Sequence, residues 1–306
     1  MRAIVTGGAG FIGSHIAKKL VKDDWQVTVV DNLTTGDLKN LRDIESQYEF
    51  VKGDAARVLE LPPADVVFHQ GIYSSSPMYV KDPWLESKVV ADATSILEYC
   101  KKTGARLVFA STSIIFSNQQ DPHVESAAPL VDNRYGEARY AVERLATLYN
   151  KIEGVRFTAL RYFSIYGDGE ESKQVYANLV SQMIWKAILD KPMKIYGDGN
   201  QKRDLVHVDD VVKANLTAFD KDVNGVFNVA TARIVNLNEL VEIVSKAVGK
   251  EIKKQYVPAP YINFVGRASL AKAKNELGFT AGITLEEGIK KSVEYYKSLP
   301  SVPDIY

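Results

Sequence analysis

The clearest chemical motif in this sequence is a run of spaced glycines. Gly7, Gly10 and Gly13 recur at every third residue within Thr6-Gly7-Gly8-Ala9-Gly10-Phe11-Ile12-Gly13. The loop follows a short apolar run, Ala3-Ile4-Val5, and leads into a segment where Phe11, Ile12, Ile16 and Leu20 recur at roughly helical spacing. A turn without side chains between a strand and a helix lets backbone N–H groups approach a pyrophosphate at the positive end of the helix. A glycine triplet alone is a weak signal. Here it has a strand before it, a helix after it, and Asp31 at the end of a second strand-like run, eighteen residues beyond Gly13. A carboxylate at that point accepts from both ribose hydroxyls and repels a 2′-phosphate. Neither the loop nor Asn32-Leu33 carries an Arg or Lys, so the pattern favours NAD over NADP. A tight strand–helix turn with an unrelated Asp is the alternative that stays open.

Other chemistries find less support. There is one cysteine, Cys100, which excludes an intramolecular disulfide and a CxxC pair. His15, His69, His123 and His207 never fall four residues apart, so no zinc helix is visible and no metal is expected. Among 306 residues, 38 Lys+Arg balance 38 Asp+Glu; without excess positive charge, binding to nucleic acid or to an anionic membrane is not expected. Hydrophobic residues make up 46% and charged residues 25%, the balance of a globular chain. No apolar stretch reaches ~18 residues, and the N-terminus starts with a strand-like run rather than a signal segment. The expected compartment is therefore the cytoplasm.

The elements that must position the glycine loop and Asp31 follow from the hydrophobic pattern. Strands are expected at Arg2 to Thr6, Trp25 to Val30, Phe50-Val51, Val66 to Phe68, Leu107 to Ala110 and Phe157 to Leu160. Helices are expected over about Leu85–Lys102, stopped by Gly104, and about Arg134–Lys151. Short apolar strands alternating with amphipathic helices give an α/β chain with a parallel sheet covered on both faces. Beyond about Tyr166 helices dominate (Tyr176–Leu189, Val208–Phe219, Leu237–Val248, Leu285–Lys297) and strands are expected to be short and isolated. The division expected is 1–165 for dinucleotide binding, with 207–230 returning to it, and 166–306 for a smaller, mostly helical substrate lobe. Ile-Tyr-Gly-Asp-Gly occurs at 165–169 and 195–199, but its flanks differ, so two similar turns are expected rather than a repeat.

Several segments together resemble the extended short-chain dehydrogenase/reductase family, in particular its nucleotide-sugar epimerases and dehydratases. They are the glycine loop, Asp31-Asn32, Gly53-Asp54-Ala55, His69-Gln70-Gly71-Ile72, Arg161 to Gly167, Ile195 to Asp204, and His207-Val208-Asp209-Asp210, with Leu277-Gly278-Phe279 and Leu285 to Gly288 in the tail. The resemblance covers nearly the whole chain and implies a Rossmann-type doubly wound sheet. It implies that Gly7, Gly10, Phe11, Ile12, Gly13, Asp31, Asn32 and Gly36 hold NAD, with Asp54 and Ala55 at the adenine and Gly71 and Ile72 beside the middle of the cofactor. It also implies a homodimer built on the helices at about 85–102 and 134–151.

The family places a Ser or Thr at a strand end and a Tyr-x-x-x-Lys on the following helix. Against that pattern Thr112 takes the hydroxyl position and Tyr135 the phenol, while Arg139 stands where Lys is usual. Oxidising a sugar alcohol requires removal of its proton. A phenol of pKa ≈ 10 must be tuned toward ~7 to do so, roughly 4 kcal/mol. A cation one helical turn away shares its face and supplies part of that shift. Arg keeps the charge, but its planar fork is bulkier than an ammonium, so the usual contact to the nicotinamide ribose is in question. Thr112 would hold the substrate hydroxyl and the developing oxyanion. An ordinary buried Tyr135 and a solvated Arg139 stay open, and Tyr140 with Arg144 repeats the same spacing.

By the same resemblance, dehydratases and uronate decarboxylases carry a Glu just after the active hydroxyl, where this chain has Ser113-Ile114. Ile114 cannot move a proton, which leaves redox chemistry alone and points to a 4-epimerase of the UDP-glucose/UDP-galactose type; another redox enzyme of the family, such as a net dehydrogenase, and an NAD-binding sensor that has lost catalysis stay open. The substrate would be a nucleoside-diphosphate sugar, with a UDP-hexose expected. Ser75, Ser164, Asn178, Leu179, Tyr196 and Arg203 are the implied substrate contacts. The family's second diphosphate Arg, expected near 259–262, is replaced by Ala259-Pro260-Tyr261-Ile262, and Arg267 is a candidate substitute. Gly266 falls where related epimerases limit the hexose pocket, so room for an N-acetyl group is a further expectation.

Overall fold

The N-terminal apolar run is strand β1 (Arg2–Thr6), buried from Ala3 onward. The structure is a computed structural model that describes residues 1–117, 119–258 and 266–305. Strands β2 (Gln26–Asp31), β3 (Glu49–Lys52), β4 (Val66–His69), β5 (Arg106–Thr112) and β6 (Phe157–Tyr162) follow, each beginning within two residues of its expected start. Later come β7 (Ser164–Tyr166), β8 (Met193–Tyr196), β9 (Lys202–His207), β10 (Gly225–Val229), β11 (Ile234–Asn236) and β12 (Lys254–Val257). Seven of these form one sheet in the order β10-β6-β5-β4-β1-β2-β3, and every pair in it is parallel. The order reverses between β1 and β4. Ligands of such sheets bind at that reversal, beyond the carboxyl ends of the strands.

Alternate residues of each strand feed opposite cores, which explains why the strands read as unbroken apolar runs. Val5, Val29, Phe68, Val108 and Leu160 face one way and pack with Ile16 and Leu20 of α1 (Phe11–Lys22) and with Val211 and Ala214 of α6 (Val208–Asp220). Ile4, Val30, Val67, Leu107 and Phe109 face the other way. They pack under the short α2 (Ser76–Lys81), α3 (Leu85–Thr103) and α4 (Arg134–Glu153). A third, separate core joins α5 (Leu179–Ile188), α7 (Leu237–Val248) and α8 (Leu285–Ser298) through Val180, Ile184, Trp185, Leu240, Val244, Ile289 and Tyr296.

Two sequence expectations change here. The strands beyond Tyr166 are not isolated: β7, β9 and β11 make a three-stranded sheet, β8 pairs with β12, and β10 completes the main sheet beside β6. The helix expected from Tyr176 begins instead at Leu179. Asn178 is extended, and its Oδ1 accepts from the Val180 backbone N–H at 3.0 Å, an N-cap that blocks helix upstream. The two Ile-Tyr-Gly-Asp-Gly segments are turns, leaving the ends of β7 and β8.

Candidate active site

A cavity of about 370 Å³ opens where the sheet order reverses, lined by the loops after β1, β4 and β5 and by the first turns of α4. Its floor is the glycine loop. Gly7 has φ +66°, and a Cβ there would lie 2.5 Å from the Gly71 backbone nitrogen; a Cβ on Gly13 would lie 2.1 Å from the Gly7 oxygen. A side chain on Gly7 would push the loops after β1 and β4 apart, and one on Gly13 would collide with the Gly7 backbone within the glycine loop itself. Gly10 caps α1 without a side-chain bond, and the first turn holds no acidic residue. The unpaired N–H groups of that turn are therefore available to an anion.

Asp31 ends β2 at the opposite rim from the catalytic candidates. Its Oδ2 accepts from the Ala9 N–H at 3.0 Å and its Oδ1 from the Leu33 N–H at 2.8 Å. Burial pushes its pKa up, and these backbone bonds oppose the shift. Each oxygen retains a second lone pair for a ribose hydroxyl. Next along the rim, Asn32 donates to Asp54 at 2.7 Å and Lys88 pairs with Asp54 at 2.8 Å, which holds the Asp54 carboxyl below its usual range. His69 at the end of β4 shares a 2.7 Å hydrogen bond with Thr6, and burial depresses its pKa to about 3, so it is a neutral structural group.

At the other end, Thr112 closes β5 and its Oγ1 accepts from the Ile114 N–H at 3.2 Å. Tyr135 stands in the first turn of α4, with its ring edge-on to Tyr79 at 5.6 Å. Asn133 caps this helix by accepting from the Gly136 N–H at 2.9 Å, which fixes where Tyr135 starts. Arg139 is 3% exposed; its Nη1 donates to the Ala110 carbonyl at 2.7 Å and its Nη2 to the Tyr73 carbonyl at 3.1 Å. Its buried Nε has no partner among the described residues, although the residue lines the cavity. An unpaired buried donor, a glycine cradle and an acidic rim together fit a dinucleotide with ribose hydroxyls and a diphosphate.

The sequence profile of the NAD dependent epimerase/dehydratase family matches residues 3–230. This chain belongs to that family. A Methanocaldococcus jannaschii protein with the provisional name UDP-glucose 4-epimerase is 34% identical over 96% of this chain and 98% of its own length. A zebrafish (Danio rerio) UDP-glucuronic acid decarboxylase 1 is 28% identical over 96% of this chain and 72% of its own. The UDP-N-acetylglucosamine 4-epimerase of Methanobrevibacter ruminantium, solved with UDP-N-acetylmuramic acid, superimposes with a TM-score of 0.92 at 29% identity, covering 97% of this chain and 98% of that one. The UDP-glucose 4-epimerase of Thermus thermophilus, solved with NAD, gives a TM-score of 0.88 at 29% identity over 97% and 99%.

Most of the residues expected at the site of this family member meet in one cavity. Gly7, Gly10, Phe11, Ile12, Gly13, Asp31, Asn32, Asp54, Ala55, Gly71, Ile72, Thr112, Tyr135, Arg139, Ser164, Asn178 and Arg203 all line it. The competing pair does not: Tyr140 and Arg144 are off the cavity, and Arg144 is exposed. Arg139 is thus not the solvated helix residue that remained open.

Five expected residues fall outside the lining. Gly36 packs behind it, where a Cβ would lie 2.8 Å from the Asp31 Oδ1. Ser75 sits one residue beyond the lining Ser74 and caps α2. Leu179 turns toward the third core, because it follows the capping Asn178. Tyr196 is exposed at the end of β8. Gly266 is buried against another segment, where a Cβ would lie 2.0 Å from Asp121 and 2.5 Å from His123; close packing, not room for a sugar, requires glycine. Arg267 is exposed, with its backbone N–H given to Asp121 at 2.7 Å. Residues 259–262 lie outside the described residues.

Other members of the site were not legible. Tyr73, Lys173 and Tyr176 line the cavity. Behind it, Glu143 accepts from Ser111 at 2.5 Å and from Arg161 at 2.9 and 2.7 Å, a buried pair that ties α4 to the ends of β5 and β6. The sequence places Arg161 in a resembling segment but gives no sign that Glu143 is its partner.

Proposed function

We propose that this protein is a nucleotide-sugar 4-epimerase acting on a UDP-hexose of the glucose/galactose type. The observation that carries the reading is the wall formed by Thr112, Ser113, Ile114 and Tyr135: a hydroxyl and a phenol are present, and the place of a carboxylic acid is taken by Ile114. NAD, when bound, supplies reversible two-electron oxidation of the sugar carbinol. Tyr135 takes the proton of the 4-hydroxyl as the carbonyl forms and returns it when the alcohol is restored. Thr112 donates a hydrogen bond to the same oxygen, where negative charge develops in the transition state. The Arg139 guanidinium packs against the Tyr135 ring and holds it in place. With Ile114 where a carboxylic acid would serve dehydration or decarboxylation, inversion at C4 is the favoured outcome. Arg203 and Asn178, which line the same cavity, would hold the diphosphate and sugar. Pairing of α3 and α4 with a second copy is the expected dimer contact.

The test is a panel of UDP-sugars incubated with purified protein and no added cofactor, with products separated by chromatography. Interconversion of UDP-glucose and UDP-galactose, or of their N-acetyl forms, supports the reading. Release of CO2 from UDP-glucuronate, or stoichiometric consumption of added NAD, replaces it with decarboxylation or net dehydrogenation. No turnover of any sugar by NAD-bound protein leaves a binding role.

A further inference from the structure

A cation from the segment after β7 reaches across the cavity to the glycine loop. The Lys173 ammonium lies 5.7 Å from the centroid of the Phe11 ring, which belongs to the first turn of α1. Its side chain is 15% exposed, and both residues line the same cavity. Lys173 does not hang free. Glu170, which has no solvent exposure, accepts from the Lys173 Nζ at 2.7 Å and from the Asn178 N–H at 2.8 Å with Oε1, and from Ser181 at 2.6 Å with Oε2. The neighbouring Gln174 has φ 51° and ψ −121°, a conformation that costs about 1–3 kcal/mol and persists only where the surroundings impose it. The turn is therefore held in shape, with an ammonium fixed above the start of α1.

That position lacks charge otherwise. The glycine loop itself carries no cationic side chain, and a dinucleotide brings two negative charges to it. The other cations on the cavity wall, among the described residues, are Arg139 and Arg203. Arg139 gives both Nη atoms to the carbonyls of Ala110 and Tyr73, at the far side of the sheet reversal from the glycine loop's own helix, and Arg203 belongs to β9. An ammonium has three donors, and one is given to Glu170. We propose that Lys173 completes the diphosphate site of the dinucleotide, with Glu170 as the positioning residue that orients it. The inference rests on the cofactor assignment above and adds a residue from outside the glycine loop to it. Because Glu170 also fixes Asn178, the same carboxylate sets a residue on the cofactor side and one on the substrate side.

The experiment compares wild type, Lys173→Gln and Lys173→Arg by titration calorimetry after removal of bound nucleotide, using NAD, ADP-ribose and adenosine as probes and then UDP on NAD-saturated protein. The expected result is a loss of about tenfold to a hundredfold in affinity for NAD and ADP-ribose in Lys173→Gln, the size of one charge-assisted hydrogen bond. Adenosine binding stays within about twofold, and Lys173→Arg recovers most of the loss. Unchanged NAD affinity overturns the proposal. So does an equal loss for adenosine, which marks a distorted site. A loss of UDP affinity in NAD-saturated protein, with NAD affinity intact, also overturns it and assigns the ammonium to the substrate's diphosphate. If Lys173→Gln does not fold, Glu170→Gln/Lys173→Gln, which leaves no unpaired buried charge, makes the same comparison. A wild type that binds no NAD fails the cofactor assignment itself, a separate result.

Discussion

The guanidinium carbon of Arg139 stands 5.2 Å from the centre of the Tyr135 ring, one helical turn along α4. The same group donates to the carbonyls of Ala110, Ile72 and Tyr73, so it joins α4 to the end of β5 and to the loop after β4. Arg in place of the family's usual Lys therefore acts on structure as well as on charge. A planar fork can serve several carbonyls at fixed angles, and an ammonium cannot reproduce that arrangement.

Replacing Arg139 separates the two roles. Arg139→Met leaves buried carbonyls without donors and should cost at least ~2–3 kcal/mol of stability. Arg139→Lys keeps the charge, should cost about 1–2 kcal/mol through the lost carbonyl contacts, and should keep turnover within about tenfold. Urea unfolding and steady-state rates on the same preparations check both. Equal stability of Arg139→Met and wild type would sink the structural role.

Tyr135→Phe removes the proposed base without changing the ring contacts to Tyr79 and Arg139. Turnover should fall by about 10²–10⁴ while NAD binding stays within a few-fold. Thr112→Val should lower turnover by about 10² through the lost hydrogen bond to the reacting oxygen. Retained activity in Tyr135→Phe would refute the assignment of the base.

Glu143 and Arg161 are each 3% exposed in their side chains and 2.7 Å apart. Arg161→Met leaves a buried carboxylate with only Ser111 and should destabilise by about 3–5 kcal/mol. The double variant Glu143→Met/Arg161→Met should lose less, since no charge is left unpaired. Denaturant midpoints decide this, and strictly additive losses would contradict the pairing.

Asp168 has a buried Oδ1 without a partner among the described residues, and burial pushes its pKa up to about 6. A carboxyl whose pKa is raised by folding binds protons more tightly in the native state. Its ionisation therefore weakens the fold as pH rises from the unfolded value near 4 through about 6. Asp168→Asn should stabilise the protein at pH 7.5 by about 1–2 kcal/mol, allowing for its partial exposure. The gain should shrink toward zero as pH falls to about 4. Thermal melts across that range measure it, and a variant less stable at pH 7.5 would refute the argument.

The sequence by itself determined the sheet, the cofactor cradle and the chemical types at the centre. Strands such as Arg2–Thr6 and Phe157–Tyr162 are short, largely apolar runs buried on both faces, as a parallel sheet covered by helices requires. The glycine spacing and Asp31 are local geometry, written in neighbouring residues. Tertiary structure decided what depends on contacts between distant segments. It put Tyr135 rather than Tyr140 on the cavity wall, because α4 packs on the sheet through Ala138, Val142 and Ala146 and carries Tyr135 and Arg139 to that side. It set Gly266 and Tyr196 off the cavity lining, since one packs against Asp121 and His123 and the other faces solvent, which no local pattern encodes. It brought Lys173 over Phe11 through a buried Glu170, an approach between residues far apart in the chain that spacing alone could not reveal.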